Sequence, residues 1–237
     1  MYWLVAILGL AFALCFWVGF QRMIRLQNLT QQRIINGFIG AMVILSLMAV
    51  GQWLQLISQD ISVKFTMLMY SAVSGFFFGF GVKMLALRKQ LRDSEYIYRS
   101  FWTEAAPTII ALLIITFGMY RTGLLTFGPY TGVGVTSGLS LLGFGFLGLT
   151  VKIVPEFRRK GILILDQHVD WKKVVAYSWE REEVLRIDYY TESGELTDFS
   201  TYIPPDDQLI VERLLGKKLE EHKDERKKMM SQGDEIS

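Results

Sequence analysis

Residues 132–165 read GVGVTSGLSLLGFGFLGLTVKIVPEFRRKGILIL, and two kinds of sequence meet inside this stretch. Residues 132–151 carry no charge and, as a helix, are long enough to cross a hydrocarbon core about 30 Å thick. From Lys152 onward charged residues become frequent and apolar positions begin to alternate with polar ones. The stretch therefore predicts the end of a membrane domain and the start of a domain that faces water.

The charge balance of the 237-residue chain supports this division. Residues 1–152 contain 11 Lys and Arg against 4 Asp and Glu, whereas residues 153–237 contain 14 against 19. The net charges of +7 and −5 sum to the overall +2. The 51% hydrophobic share is likewise an average over two unlike parts of the chain. These values exclude a single soluble globule and a collagen-like chain. The single cysteine excludes an internal disulfide and a cysteine-rich metal site.

Four more apolar stretches upstream of residue 132 have the length of a membrane span. Because the backbone must satisfy its own hydrogen bonds in lipid, each stretch is predicted to be helical despite its glycines. Residues 88–104 are basic and aromatic, which favours a helix at the membrane interface, with a solvated connector as the alternative. The predicted transmembrane domain, residues 1–154, has spans at 2–20, 35–57, 65–87, 105–127 and 132–151.

Lys and Arg in the connections indicate the direction of the chain, because cations in short loops accumulate on the cytoplasmic side. With five spans, twelve cations fall on one side and two, Lys64 and Arg121, on the other. We therefore expect a multi-pass protein of the plasma (inner) membrane, with the N-terminus outside and the C-terminal domain in the cytoplasm. The first span lacks a preceding basic region, which favours a retained anchor over a cleaved signal. The residues predicted at the interface are Arg88, Lys89, Arg92, Arg99, Trp102, Arg158, Arg159 and Lys160.

Small residues recur at helical spacing on the third and fifth predicted spans. On residues 132–151, four glycines fall within an arc of about 80°. Small residues let helices approach closely, so these two spans are predicted to form the centre of the bundle. The alternative is that they line a narrow permeation path. The predicted packing residues are Ser71, Gly75, Gly79, Gly134, Gly138, Gly145 and Gly148.

Alternating side chains predict about four antiparallel strands in residues 155–228, followed by a helix after Pro204-Pro205. The predicted fold class is therefore a five-span α-helical bundle followed by a small α+β cytoplasmic domain. Residues 229–237 are predicted to be a disordered tail. The predicted strands are residues 161–165, 169–180, 184–190 and 196–203.

Several runs in this domain carry a resemblance to a known group of proteins. They are Gly161-Ile-Leu-Ile-Leu165, Val169-Asp-Trp-Lys-Lys-Val174, Tyr177-Ser-Trp179 and Tyr202-Ile-Pro204, the last ahead of a charged helix. Together they resemble the small C-terminal domain of uncharacterised bacterial multi-span membrane proteins. That domain is similar to bacterial pleckstrin-homology-like modules, in which strands are capped by a C-terminal helix. The resemblance implies no known reaction and transfers no functional residue. Trp171 and Trp179 are either core residues or part of a binding face.

No pattern in the chain points to catalysis. The two histidines, His168 and His222, are predicted far apart on a turn and a helix, and no acids have the spacing of a metal loop. No nucleophile motif occurs, and Gly143-Phe-Gly-Phe-Leu-Gly148 matches a dinucleotide motif only in letters because it lies within a span. We therefore expect a protein that is not an enzyme and has no cofactor, metal or nucleic-acid partner.

The sequence favours a multi-pass membrane protein whose cytoplasmic domain binds a partner protein or lipid headgroups and has a regulatory role. The expected partners are membrane lipids and another membrane or cytoplasmic protein, with a second copy of the chain as a further option. The alternative is a subunit of a small-solute pore or permease built from the glycine-rich third and fifth spans.

Overall fold

The computed structural model describes residues 2–21, 31–191 and 194–225, apart from several side chains of the second helix. A helical N-terminal region is followed by a C-terminal sheet domain of antiparallel strands and a helix. The chain divides into two compact units, Met1–Leu87 with Ser100–Lys152 and Arg88–Arg99 with Ile153–Ser237. The predicted disordered tail at 229–237 lies outside the described residues.

Long apolar runs form the helices of the N-terminal region. Among the described residues, four helices are long and apolar enough to cross a membrane, which is consistent with a membrane protein. These four are α1, α3, α5 and the continuous helix Phe101–Thr122, whose first turn, Phe101–Ala105, is π-helical. The bounds are α1 Tyr2–Phe20, α2 Gln31–Trp53, α3 Gln59–Gln90, α4 Ala106–Thr122 and α5 Gly132–Thr150.

The helix ends differ from the predicted spans where the backbone turns left-handed. The first predicted span, residues 2–20, coincides with α1. The second was predicted to reach residue 57, but α2 ends at Trp53 and Gln55 has a φ of 57°. The fourth was predicted to reach residue 127, but Gly123 ends α4 with a φ of 84° and donates its N–H to the Tyr120 carbonyl. Glycine adopts this conformation without the steric cost that a Cβ imposes.

The predicted packing residues lie at contacts between helices in the first unit. The Ser71 hydroxyl of α3 donates to the Leu8 carbonyl of α1 at 2.7 Å. A Cβ at Gly75 or Gly79 would overlap main-chain atoms of α1. On α5, Cβ atoms at the predicted glycines would meet atoms of α4 or of the connection that leads from it to α5. These glycines are Gly134, Gly138, Gly145 and Gly148.

A second face of α5 contacts α3. The Ser74 hydroxyl of α3 donates to the Leu139 carbonyl at 3.0 Å, and a Cβ at Gly143 would lie 3.1 Å from the Ser74 carbonyl oxygen. Helix α5 therefore packs between α3 and α4, while α3 also contacts α1. Close approach of backbones across small residues is typical of helices in membranes, where van der Waals packing drives association.

Large apolar side chains cover the outer faces of α1 and α4. Soluble monomers rarely expose a contiguous apolar patch of more than a few hundred Å². This surface is therefore suited to lipid. Side chains that are more than half exposed include Leu10, Leu14, Trp17, Ile110, Leu113 and Phe117.

The described residues of the second unit form two antiparallel sheets and a helix. The first sheet has the strand order β1-β2-β3-β4 and the second β5-β6-β7. The strands are β1 Ser94–Ile97, β2 Glu156–Arg158, β3 Gly161–Ile164, β4 Gln167–Asp170, β5 Val174–Arg181, β6 Val184–Tyr190 and β7 Leu196–Tyr202. Helix α6, Pro205–Glu221, follows them.

Within residues 155–228, where about four strands were predicted, the described residues form six, and β1 adds a seventh from upstream. The single strand predicted at 169–180 is interrupted. Trp171–Lys173 form a 3₁₀ turn, after which the chain passes from the first sheet to the second. The turn places the Trp171 ring in the core, where its exposed fraction is 1%. Alternation alone did not reveal this break, because apolar residues continue on both sides of it.

The prediction of an interfacial helix at 88–104 is wrong. Helix α3 ends at Gln90, and Arg92 has a left-handed φ of 63°. Ser94–Ile97 then forms β1, which pairs antiparallel with β2. The pairing satisfies main-chain groups and sets the Tyr96 ring against Phe157, with centroids 5.9 Å apart. The sheet domain therefore includes a segment from between α3 and α4.

Apolar side chains of both sheets and of α6 form one core. On β6, Leu185, Ile187 and Tyr189 are buried, as the alternation predicts. The remaining buried members are Phe157, Ile162, Val169, Trp171, Val174, Ile203, Val211 and Leu215.

Candidate functional site

The carboxylate of Glu156 on β2 lies at the centre of a buried charge cluster. Its Oε1 accepts a hydrogen bond from Arg88 at 2.7 Å, and its Oε2 accepts one from Arg158 at 2.7 Å. The Glu156 side chain is 1% exposed, and the two arginine side chains are 15% and 12% exposed. A buried carboxylate is costly unless it is paired and hydrogen-bonded, and here two guanidinium groups pair with it.

Arg158 also contacts the end of α3. Its Nη1 donates to the main-chain carbonyls of Arg88 at 3.1 Å and Arg92 at 2.5 Å. The last carbonyls of a helix lack partners within the helix, and a cation placed there supplies hydrogen bonds and opposes the negative end of the dipole. The cluster therefore joins the segment after α3 to the segment after α5.

Side chains of β1 form further polar contacts with α6. The Tyr96 hydroxyl donates to Asp207 at 2.9 Å, and Lys218 donates to Glu95 at 3.0 Å. The pKa of Tyr96 is raised, first by burial and second by the contact with Asp207. The Arg159 N–H of the β2–β3 turn donates to the Asp93 carbonyl. Strand β1 is thus held by main-chain and side-chain bonds on both sides.

A cleft of about 260 Å³ opens on the sheet domain beside the β2–β3 turn. Three permanent cations, a histidine and two carboxylates contribute to its wall. Basic groups from the turn, from the 3₁₀ segment and from the end of α6 meet there. The lining residues are Arg159, Lys160, Asp170, Trp171, Lys172, His222 and Glu225.

The two histidines have different partners, and only His222 is among the residues that line the cleft. His222 lines the cleft, and its Nδ1 is 3.0 Å from Glu225 Oε2. His168 on β4 is 3.7 Å from Asp170, a cleft residue.

The two tryptophans of the predicted core or binding face have separate environments. Trp171 is buried, stacks on Phe157 with ring centroids 6.4 Å apart, and donates its indole N–H to the Arg158 carbonyl at 2.9 Å. Trp179 is half-buried and donates its indole N–H to Glu212 at 2.7 Å. Trp171 therefore forms part of the inner wall of the cleft, while Trp179 links β5 to α6.

The residues predicted at the membrane interface divide into two groups. Arg88 and Arg158 are largely buried against Glu156, so their charges are used within the sheet domain. Trp102, in the first unit, is 77% exposed. The remaining predicted residues, all exposed in the second unit, are Lys89, Arg92, Arg99, Arg159 and Lys160.

Sequence reasoning missed Glu156 and the acids that accompany the cleft cations. One signal was present, because Glu156 is an isolated acid between Pro155 and the basic run at 158–160. No comparable signal marks the cleft, whose members come from distant parts of the chain.

Among the described residues, no group of three or more His, Cys, Asp or Glu is placed to hold a metal ion.

Comparison with known protein families matches one part of the chain. Residues 152–220 match the family described as Domain of unknown function (DUF5673). This segment is similar to members of that family. The match runs from the end of the helical region to α6 and covers Glu156, the β2–β3 turn and Lys172. It does not cover β1, which the chain supplies to the same sheet from between α3 and α4. The DUF5673 family is uncharacterised, and no curated protein and no solved structure matches the chain significantly.

Proposed function

We propose that this chain is a multi-pass membrane protein whose DUF5673-containing sheet domain is a cytoplasmic binding module that regulates the membrane helices and is not an enzyme. One observation carries the proposal. The domain is built from two segments, Arg88–Arg99 and the chain from Ile153 onward, so the chain passes between the two units at three places. A ligand that changes the conformation of the sheet domain therefore acts on three covalent connections to the helices.

The contacts of β1 give this link its physical basis. Three residues separate β1 from the end of α3. The Arg88–Glu156–Arg158 cluster binds the end of α3 to β2, and the β1–β2 pairing binds β1 to the same strand. If β2 shifted while β1 stayed in place, hydrogen bonds between buried groups would break, which is unfavourable. Coupling through such a contiguous network is the kind of pathway that a regulatory module uses.

The orientation rests on the distribution of cations. The connection between α3 and α4 and the residues after α5 are rich in Lys and Arg, as cytoplasmic loops are. A pleckstrin-homology-like architecture, as the sequence resemblance suggests, is supported by the seven strands and the C-terminal helix that the described residues form. We propose helix packing as the role of the small residues on α3 and α5, because neighbouring helices occupy the space beside them.

Hydrogen exchange of the full chain in lipid nanodiscs tests the coupling. Tyr96→Ala removes a ring and a hydroxyl that hold β1 to the core. We expect faster exchange in peptides that cover residues 80–87 and 100–106 of the first unit, as well as in the sheet domain. Leu196→Ser, at an exposed position on β7, serves as the control and should change neither region. Faster exchange confined to the sheet domain would contradict a regulatory link.

A further inference from the structure

The cleft beside the β2–β3 turn gathers cations from three elements of the sheet domain. Arg159 and Lys160 form the turn itself, Lys172 lies in the 3₁₀ segment after β4, and His222 caps α6. Like charges repel when they are brought together, at a cost that rises as water is removed. A concave site that collects three permanent cations is therefore stabilised by an anion.

The carboxylates of the cleft only partly neutralise these cations. Asp170 lies 3.7 Å from Lys172, beyond the usual length of a hydrogen bond, so the ammonium group keeps donors available. Glu225 contacts His222 at 3.0 Å. Within the described residues, no ion pair engages the side chain of Arg159 or Lys160. The cleft therefore keeps a net positive charge with both carboxylates ionised.

The donor set fits a phosphate group. A guanidinium presents paired N–H groups that match phosphate oxygens, and lysine ammonium groups bind phosphate as point charges. The volume of about 260 Å³ accommodates such a group together with water. Apolar ligands fit poorly, because Trp171 is the one apolar side chain among the described lining residues and its N–H is already bonded to Arg158.

We infer that this cleft binds a phosphate group, carried either by a lipid headgroup or by inorganic phosphate. The inference rests on the proposed function, since it names the ligand chemistry of the binding module. Eight residues separate Thr150, the last residue of α5, from Arg159. Because this membrane-capable helix is so near to Arg159 in the sequence, a headgroup phosphate is the first source to test.

Binding is measured on the full chain in an uncharged detergent, with three probes. These are inorganic phosphate, short-chain phosphatidylglycerol and short-chain phosphatidylcholine, titrated by calorimetry and by native mass spectrometry. We expect phosphatidylglycerol to bind and phosphatidylcholine, whose headgroup carries its own cation, to bind much more weakly. The combined variant Arg159→Gln, Lys160→Gln and Lys172→Gln should weaken binding by about tenfold or more, since each lost charge-assisted hydrogen bond contributes to affinity.

A matched variant separates site binding from general charge. Arg181→Gln, Arg213→Gln and Lys217→Gln remove three exposed cations of the same domain that do not line the cleft, and this variant should retain its affinity within about twofold. The reverse change, Asp170→Asn with Glu225→Gln, removes both carboxylates and should tighten binding. Thermal unfolding of every variant checks that the fold survives; the Arg159 main-chain bonds persist in all of them.

Each outcome decides the inference. Binding of phosphatidylglycerol and phosphate that falls only in the cleft variant supports it, and binding of phosphate alone assigns the source to the free anion. No binding of either probe, or equal loss in the cleft and matched variants, overturns it. An acidic protein that co-purifies with the chain, detected by the same native mass spectrometry, in place of binding of either probe would also overturn it. The exchange experiment does not depend on any anion, so failure of the cleft and failure of the regulatory link are distinguishable.

Discussion

The guanidinium of Arg88 donates a hydrogen bond to the Glu156 carboxylate at 2.7 Å, although the two residues are 68 positions apart in the chain. Arg88 lies in the last turn of α3, and Glu156 begins β2. Between them in sequence lie two further helices. The contact therefore defines the sheet domain as an assembly of two segments, with a buried acid as the common partner of two arginines.

Removal of the central acid should destabilise the sheet domain strongly. In Glu156→Gln the side chain keeps its size but loses its charge, which leaves two largely buried guanidinium groups without a counterion. Loss of one member of a buried ion pair costs about 3–5 kcal/mol. We expect a clear drop in the thermal midpoint of the purified full chain, followed by tryptophan fluorescence. Glu195→Gln, at an exposed turn position, should leave the midpoint unchanged, and equal effects of the two changes would contradict a structural role for the cluster.

Alkaline pH should weaken the sheet domain through one half-buried and one buried tyrosine. Burial raises the pKa of Tyr96 and of Tyr189 above the ordinary value of about 10. The folded state thus holds the phenolic proton more tightly than the unfolded state does. The free energy of unfolding is therefore highest below about pH 10 and falls as the pH rises above that value.

The Tyr96 contribution to this fall is testable by replacing its hydroxyl. Tyr96→Phe removes the bond to Asp207, which costs about 1 kcal/mol at neutral pH, and also removes the titrating group. Unfolding midpoints between pH 8 and pH 11 should decline less steeply in this variant than in the parent. Equal slopes would show that Tyr96 ionises alike in both states. Tyrosinate absorbance, recorded in parallel, reports the ionisation directly.

Substitution of the glycines between α1 and α3 should disturb the helical region. A Cβ at Gly75 or Gly79 would overlap main-chain atoms of α1, which cannot move as a side chain does. Gly75→Ala and Gly79→Ala should each cost roughly 1–3 kcal/mol, the usual range for overpacking. Gly9→Ala is the matched control, because a Cβ there would meet no described atom within 4 Å. Thermal aggregation in detergent, scored by size-exclusion chromatography, should separate the first two variants from the control.

The proposed orientation predicts which cysteines react from outside the cell. In a Cys15→Ser background, Tyr130→Cys places a thiol in the exposed connection between α4 and α5, and Asp206→Cys places one at the start of α6. A membrane-impermeant maleimide should label the first in intact cells and the second only after permeabilisation. Labelling of the Asp206→Cys protein in intact cells would reverse the orientation. The background protein without an added cysteine measures non-specific labelling.

Local sequence was sufficient to locate the helices and the strands β3, β6 and β7. Helix α1 coincides with the uncharged run at 2–20, and β6 alternates as the pattern at 184–190 predicts. Such elements are readable because a membrane-length apolar run or a period of two is contained within one window of sequence. Residues 88–104 were misread because basic and aromatic residues suit an interfacial helix as well as an edge strand. The choice depended on β2, a partner distant in the chain.

By itself, the sequence determined the division into an apolar helical region and a charged sheet domain, because hydropathy and charge are properties of each segment. It also identified Arg158, Arg159 and Lys160 as residues of interest, although it could not separate their roles. Only the tertiary structure placed Arg158 with Glu156 and the end of α3, and Arg159 and Lys160 in a cleft with Lys172 and His222. Those assignments follow from strand pairing and burial between distant segments, which no local pattern of residues encodes.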